Sequence, residues 1–348
     1  MKVNFFEKII FGKNAGSEIS ATHHLVDSDI WDPVTKINVS EVDSHCDKLE
    51  WKKRQLVKHP KKNGLIILFS FILGLSCLFF LSYDFIVLLG PYGLEFDLYL
   101  GIFFIIIGFV YYAALNKVKI DLIKYEIANR NNWLYDPDFD VSKAKKLLGN
   151  FPEVLNVGNS GQIDVEDQFW GTKVVGGVKK LFYSGLYRYG VESINSKGRR
   201  TAALYYQYFF IIKLDKKLRS NFLLYPESFF SKIGNVFTKK EINVESVEFN
   251  KTFAFKYNGK KDERAMDVVG SLSPRVQEKL VDLSRANKGI SVLFKNDSVM
   301  FVLNRHLLNK FKSKILFGLK IDQRDVDLFK KNIDHFVDIS ADVSKYLD

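Results

Sequence analysis

Two stretches of this chain consist almost entirely of apolar residues, whereas the rest mixes apolar and polar positions as soluble domains do. Residues 63–82 and 98–116 carry no charged side chain and are rich in Leu, Ile and Phe. A helix of about 20 such residues crosses roughly 30 Å of hydrocarbon. A pair of buried core helices is the alternative interpretation. The length and closeness of the two stretches favour transmembrane helices at 63–83 and 98–116.

The charges that flank these stretches predict their orientation. The basic residues on the two flanks are Lys48, Lys52, Lys53, Arg54, Lys58, Lys61 and Lys62 before the first stretch, and Lys117, Lys119, Lys124 and Arg130 after the second. The connecting segment, 84–97, has three acidic residues and no Lys or Arg, and its Gly90-Pro91-Tyr92-Gly93 indicates a turn. Because basic flanks stay in the cytosol, we expect a short outer loop and two cytosolic termini.

The predicted spans contain no ionisable residue, which a transport path or proton relay usually needs. An anchoring hairpin is therefore the favoured interpretation. The small residues Gly101 and Gly108 are predicted to serve helix packing, within a hairpin or between hairpins of a homo-oligomer. A pore formed by several hairpins, lined by these glycines with Ser70 and Ser76, is the alternative.

The segments around the spans differ in pattern. Residues 1–40 show no sustained period and are predicted to be a loosely structured N-terminus without a secretory signal. Residues 41–62 and 117–133 carry apolar positions at helical spacing, which predicts two juxtamembrane helices that extend the hairpin into the cytosol. Asp136-Pro137 is predicted to end the second of them.

Residues 134–348 are predicted to form a cytosolic mixed domain. The predicted strands are Lys179–Ile194, Thr201–Leu214, Phe222–Leu224, Val244–Phe249, Thr252–Tyr257, Ile290–Lys295 and Ser298–Asn304. The predicted helices are Glu227–Val236, one that begins at Pro274 and stops at Lys288-Gly289, and Arg324–Phe336. Turn signals at 195–198 and Asn296-Asp297 join strands into hairpins. The fold class is therefore α+β: a two-helix transmembrane hairpin with helical extensions, followed by a domain built on antiparallel hairpins.

Several short segments of this domain carry a resemblance. They are Arg199-Arg200-Thr201, Tyr208–Ile212, Glu248-Phe249, Phe253-Ala254-Phe255, Asp262, Ala265, Leu272-Ser273-Pro274 and the hairpin Ser291–Leu303. Together they resemble an uncharacterised bacterial family, domain of unknown function 3137, whose members have two spans followed by a soluble domain. The likeness covers roughly Lys117 to Tyr346 and departs at Gln207, where the family tends to place Gly. The resemblance implies a multi-pass protein of the bacterial inner membrane and assigns no catalytic residue.

No catalytic or metal-binding pattern passes a spacing test. There is no Walker phosphate loop and no dinucleotide-binding glycine pattern. Asp136–Asp140 begins like a calcium loop, but Val141 and Leu147 occupy the positions that require Gly and Glu. Ser142–Lys145 is formally Ser-x-x-Lys, and we interpret it as a solvated helix start.

The metal candidates fail in the same way, because the spacing of His23, His24, His45 and Cys46 matches no zinc site. The two cysteines, Cys46 and Cys77, form no disulfide framework. We therefore predict a protein without enzymatic activity, cofactor or metal. An enzyme that uses only carboxylates is the third and weakest hypothesis.

Charge is the more informative signal. The chain has a net charge of +11, and residues 179–219 contain ten Lys or Arg against two acidic residues. The candidate anion-binding residues are Lys197, Arg199, Arg200, Lys213, Lys216, Lys217 and Arg219, with Tyr205 and Tyr208 interleaved. Cations can hold a phosphate backbone while tyrosines stack on unpaired bases. Anionic lipid, which attracts each cation by about 1 kcal/mol, and a merely solvated face are the alternatives.

Two functional hypotheses follow from this layout. In the first, the protein is a membrane-perturbing effector of an antiviral (phage-defence) or toxin-like system, and a nucleic-acid-containing or protein partner controls its basic domain. The Lys-, Asn-, Ile- and Phe-rich composition is typical of the AT-rich genes common in such systems. In the second, the protein is a membrane-anchored scaffold or adaptor that positions a cytosolic partner or binds anionic lipid.

Overall fold

A computed structural model describes residues 30–58, 60–77, 91–175, 177–194, 198–218, 220–226, 244, 246–257, 272–286, 289–303 and the positions 327, 331, 334 and 338. The chain divides into two compact units. Within the described residues, the first unit is helical and covers 43–127. The second covers 30–42, 128–303 and the four later positions, and it contains the sheet.

The helices described before the sheet are α1 (Val39–Lys58), α2 (Pro60–Ser76) and α3 (Pro91–Arg130). Within the described residues, one helical stretch is long and apolar enough to cross a membrane. It is Leu98–Arg130 in α3, which contains an 18-residue window with a mean hydropathy of 2.3. A shorter apolar helix runs from Leu65 to Ser76. The long helix suggests membrane association. The predicted two-span hairpin is not confirmed, because the structure supplies a single candidate span.

Two boundaries of α3 differ from those that the sequence predicts. The helix already begins at Pro91, inside the predicted outer loop, and Pro suits a first helical position. It ends at Arg130 rather than at Asp136-Pro137. Asn132 adopts a left-handed φ of 54°, and the Trp133 N–H donates back to the Ala128 carbonyl at 2.8 Å. This C-terminal cap stops the helix.

Glycines bring α2 and α3 close together inside the first unit. A Cβ atom on Gly74 would lie 2.7 Å from Ile105 Cγ1 and 2.9 Å from the Gly101 carbonyl oxygen. A Cβ atom on Gly108 would lie 3.3 Å from the Phe71 ring. The glycines that we predicted for helix packing thus lie at a contact between two helices of one chain.

The second unit is built on one eight-stranded sheet. Its strands are β1 (Leu134–Asp136), β2 (Ile163–Val175), β3 (Val178–Ile194), β4 (Arg200–Lys213), β5 (Phe222–Pro226), β6 (Phe253–Tyr257), β7 (Ile290–Lys295) and β8 (Ser298–Leu303). The order across the sheet is β1-β2-β3-β4-β8-β7-β5-β6, and every neighbouring pair is antiparallel. The predicted α+β class with antiparallel pairing is therefore confirmed.

The hairpin β7–β8 lies between β4 and β5 in the sheet. It turns at Asn296-Asp297, where Asn296 has a φ of 55°, as the sequence predicts. The chain leaving β4 runs over this turn, since the N–H groups of Leu214 and Leu218 donate to the Asp297 and Asn296 carbonyls. The β7–β8 turn thus fixes the connection between β4 and β5.

Among the residues described between β1 and β8, the helices are α4 (Val141–Asn150), α5 (Val247–Thr252) and α6 (Pro274–Ala286). The predicted strand Val244–Phe249 is wrong, because α5 begins inside it. The Ser246 hydroxyl accepts a hydrogen bond from the Phe249 N–H and caps that helix. The predicted helix Glu227–Val236 lies outside the described residues. Of Arg324–Phe336, positions 327, 331 and 334 are described, and each is helical.

Candidate partner-binding hairpin arm

The strands β3 and β4 form a hairpin that runs past the neighbouring strand. Their pairing extends from Phe182 opposite Ile212 to Ile194 opposite Arg200. On its other edge β4 pairs with β8 only between Tyr208 and Lys213. Residues 190–194 and 198–206 thus form a distal part, here called the hairpin arm. At about 3.3 Å per residue, the β4 part of the arm, 200–206, is roughly 20 Å long.

Residues 200–206, the β4 part of the arm, are all exposed, whereas the rest of β4 is buried or half-buried. The exposed fractions are 68% for Ile194, 50% for Leu204 and 49% for Tyr205. On one face Tyr205 stacks on Tyr189, with 5.7 Å between ring centroids, and the Ala203 and Thr201 positions continue that face. An exposed surface that is partly aliphatic and aromatic is typical of a binding site rather than of a solvated turn.

A loop clasps the β3 edge at the base of the arm. The Asn159 side-chain amide donates to the Glu192 carbonyl at 2.8 Å and accepts from the Glu192 N–H at 2.5 Å. These are the two bonds that a neighbouring strand would otherwise make. The Gly190 carbonyl accepts from the N–H groups of Asn159 and Ser160, and the Gly190 N–H donates to the Gln162 carbonyl at 2.9 Å. The clasp holds the arm in line with the sheet.

An earlier part of the same loop, which connects α4 to β2, is joined to β4 through Gln207, at the base of the arm. Its Oε1 accepts from the Asn156 N–H at 3.0 Å, and its Nε2 donates to the Val154 carbonyl at 3.3 Å. The Asn156 side chain also donates to the Tyr189 hydroxyl. Gln207, the position at which the chain departs from the family that it resembles, therefore has a structural role here, which a glycine would not supply.

Tyr208 does not belong to the exposed surface. Its side chain is buried, and its hydroxyl donates to Ser184 at 3.3 Å. Burial, only partly offset by the bond to Ser184, raises its pKa to about 12. Burial likewise raises the pKa of Tyr187 to about 12. The two side chains lie on opposite faces of the β3–β4 pair, since Tyr208 is opposite Leu186. Both are buried, so neither ring is available to stack on a base.

The predicted cations fall into two separate groups. Arg199 and Arg200 are exposed at the tip of the arm, whereas Lys216 and Lys217 are exposed beyond the opposite end of β4. Thirteen strand positions separate Arg200 from Lys213, which corresponds to roughly 40 Å. Lys213 is half-buried, with its Nζ 6.0 Å from the centroid of the Trp31 ring. Lys197 and Arg219 lie outside the described residues.

Acidic residues on neighbouring elements neutralise part of the local charge. Arg188 binds Asp164 with both ends of its guanidinium, at 2.6 and 2.7 Å, and lies 3.8 Å from Glu166. Lys180 is buried and pairs with Asp215 at 3.0 Å. The surplus counted along the sequence thus overstates the charge of the surface, because the partners of Arg188 come from β2.

A buried ion pair that the sequence did not predict ties the segment before α1 to the sheet. Asp32 Oδ2 accepts from Lys143 Nζ at 2.7 Å and from the Trp170 indole N–H at 2.9 Å. Its Oδ1 accepts from the N–H groups of Val34 and Thr35. Lys143 Nζ also lies 4.4 Å from the Trp170 ring centroid. The interpretation of Ser142–Lys145 as a solvated helix start is thus wrong at Lys143, which is buried.

The arm remains the candidate site, because it combines exposed apolar side chains with two exposed arginines at its tip. Within the described residues, no group of three or more His, Cys, Asp or Glu side chains is placed to hold a metal ion. Both cysteines are buried. Searches of protein-family models, curated proteins and solved structures find no match to this chain. The family resemblance therefore stays a prediction.

Proposed function

We propose that the protein is a membrane-anchored binding protein of the bacterial inner membrane, related to the two-span family that it resembles. In this proposal two spans form a hairpin, both termini are cytosolic, and the protein acts by holding a partner rather than by catalysis. One long apolar helix and the basic flanks of the apolar stretches support the anchoring part. The absence of a catalytic motif in the sequence supports the non-enzymatic part.

The hairpin arm carries the binding part of the proposal. It leaves the sheet with exposed Ile194, Leu204 and Tyr205, and it ends in Arg199 and Arg200. Apolar side chains contribute contact area, while the two guanidinium groups favour an anionic partner and can bind phosphate or carboxylate in a bidentate manner. The partner is thus expected to be anionic, as a nucleic-acid-containing regulator, an acidic protein or an anionic lipid surface would be.

Reversing the charge of the tip tests this proposal. In the full chain, replacing Arg199 and Arg200 with Glu is expected to leave folding nearly unchanged, because these exposed charges contribute little to stability. Binding to an anionic partner should weaken. For duplex nucleic acid, the slope of log K against log salt should shrink by about 0.9 for each phosphate that the variant no longer neutralises. The titrants are single strands, duplex and anionic vesicles, with the protein held in nanodiscs of neutral lipid.

The matched control is the double change of Lys216 and Lys217 to Glu, which reverses charge at the opposite end of β4. Its binding should equal that of the unmodified protein, since these lysines lie far from the tip. Equal reductions of affinity in the two variants would mean that net charge, not the arm, determines binding. Undiminished binding in the tip variant would exclude the arm as the site.

The second candidate function is the membrane-perturbing effector, active in phage defence or as a toxin when its regulator releases it. The observation that favours it is the apolar outer surface of α2 and α3, on which Leu65, Phe69 and Phe109 are more than half exposed. Helices of this kind can assemble side by side into a homo-oligomer in a bilayer. Expression of the protein alone should then depolarise the membrane and stop growth, whereas an adaptor would do neither.

The effector hypothesis makes a prediction about the close approach of the two helices. Replacing Gly74 and Gly108 with Leu should separate α2 from α3, because the added side chains would collide with Ile105 and Phe71. Replacing Gly101 and Gly108 with Leu should act in the same direction. The spans stay apolar, so insertion should persist while depolarisation is abolished. The control is Ile106→Leu, a change on an exposed face. Full toxicity in both double variants would refute this packing model.

A further inference from the structure

A groove in the second unit lies beside the helices α5 and α6. Its volume is about 410 Å³, which lies within the usual size range of small-molecule sites. Polar side chains from both helices and from the cap of α5 line it, namely Ser246, Glu248, Gln277, Glu278, Asp282 and Arg285. This groove is distinct from the hairpin arm and plays no part in the function proposed for it.

Gln277 lines the groove and carries an acceptor without a hydrogen bond from any described residue. The side chain is 4% exposed, and its Nε2 donates to the Leu272 carbonyl at 2.7 Å. A carbonyl can only accept, so this bond determines which end of the amide is nitrogen. The other end, Oε1, is buried and has no hydrogen-bond donor among the described residues. Buried acceptors in native proteins are nearly always satisfied, so a donor from outside the chain is expected here.

The charges around the groove determine what kind of donor fits. Three carboxylates line it, those of Glu248, Glu278 and Asp282, against the single guanidinium of Arg285. Arg285 binds Glu248 and also Asp282, the latter at 3.1 Å. Glu278 is exposed and has no ion-pair or hydrogen-bond partner in the described part of the chain. The groove thus retains a negative charge that favours a cationic ligand.

We propose that this groove binds an organic cation, through an ammonium or guanidinium group that donates to Gln277 Oε1 and pairs with Glu278. A metal ion fits less well, since no described group of three acidic, His or Cys side chains is placed to coordinate one. The same chemistry has two possible sources, a free amine or the Lys or Arg side chain of a partner protein. Arg285 already binds the carboxylates of Glu248 and Asp282, which shows that the acidic side chains of this groove can bind a guanidinium group.

The test uses the full chain in nanodiscs and two probes, agmatine and a blocked Gly-Arg-Gly peptide, with calorimetry as the readout. Both probes are expected to bind. Gln277→Leu removes the acceptor but roughly keeps the size of the side chain. It should lower the affinity for both probes about tenfold or more. Glu278→Gln should weaken binding and reduce its salt dependence. The control is Asp297→Asn, which removes an exposed carboxylate from the β7–β8 turn and should change neither affinity.

Thermal unfolding checks that each variant is folded. If Gln277→Leu disturbs the core, the Glu278→Gln variant still tests the proposal, because Glu278 is exposed. Tighter binding of the peptide than of agmatine would support the proposal and would identify the cationic group as a side chain of a partner protein. Equal or tighter binding of agmatine would support it with a free amine. Failure of both probes to bind at roughly millimolar concentration would overturn the proposal. Unchanged affinities in both variants would also overturn it.

Discussion

Replacing Asp32 with Ala is expected to lower the free energy of unfolding of the sheet unit by about 3–5 kcal/mol, the usual cost of breaking a buried ion pair. The carboxylate accepts four hydrogen bonds, and its removal leaves the Lys143 ammonium buried without a counterion. Urea unfolding followed by tryptophan fluorescence should report the change, since the Trp170 indole is one of the donors.

The double variant Asp32→Ala, Lys143→Met is the control for this prediction. Methionine keeps the contact with the Trp170 and Tyr183 rings while it removes the buried charge. It should therefore restore most of the stability, because an apolar replacement of a buried ion pair is often neutral. A destabilisation below about 1 kcal/mol in the single variant would be typical of an exposed pair and would contradict the buried arrangement.

Replacing Gly158 with Ala should destabilise the clasp at the base of the hairpin arm and weaken partner binding without changing any charge. Gly158 has a left-handed φ of 66°, and a Cβ atom there would lie 2.0 Å from the Gly190 carbonyl oxygen. The left-handed conformation costs an Ala about 1–2 kcal/mol, and the collision with backbone adds about 1–3 kcal/mol. Hydrogen exchange should show faster exchange of the Glu192 amide, which Asn159 protects.

Gly161→Ala is the matched control in the same loop. Its φ of 71° is equally left-handed, but a Cβ atom there would meet no atom within 4 Å. It should therefore show the conformational cost alone, about 1–2 kcal/mol, with the exchange of the Glu192 amide nearly unchanged. Equal effects of the two changes would mean that the close approach of Gly158 to Gly190 does not support the arm.

Much of the sheet was predictable because its central strands have clear local signals. The strands β3, β4, β7 and β8 are apolar or aromatic runs bounded by turn residues, and the structure confirms each within about two residues. The helix from Pro274 is also confirmed. For the same reason Arg199, Arg200 and Tyr205 were correctly expected on a hairpin between β3 and β4.

Other features depend on contacts that are distant in the sequence. The strand β2 was missed because its acidic and polar residues interrupt the apolar pattern. Two of them lie in a bulge, where Asp167 accepts from the Tyr135 hydroxyl and Gln168 from the Tyr183 hydroxyl. Such polar residues can be buried because they form hydrogen bonds with side chains of other elements. The hydrophobic periodicity of a single segment does not reveal those hydrogen bonds.

In the candidate site, too, the features set by tertiary contacts could not be predicted from the sequence. The burial of Tyr208 and the separation of Lys213 from the arm follow from strand register and length, which tertiary pairing sets. Charge counted along residues 179–219 could not reveal that Asp164 and Glu166, on β2, neutralise Arg188. The burial of Lys143 was equally invisible, since its partner Asp32 is far away in the sequence.

We propose that two spans anchor the chain and leave the sheet unit in the cytosol, where the hairpin arm can meet its partner. Reporter fusions after Lys62, Tyr92, Lys117 and Asp348 test it most directly. We expect cytosolic signals at Lys62, Lys117 and Asp348 and an external signal at Tyr92, because the basic flanks stay inside. A cytosolic signal at Tyr92, or an external one at Lys117 or Asp348, would contradict it.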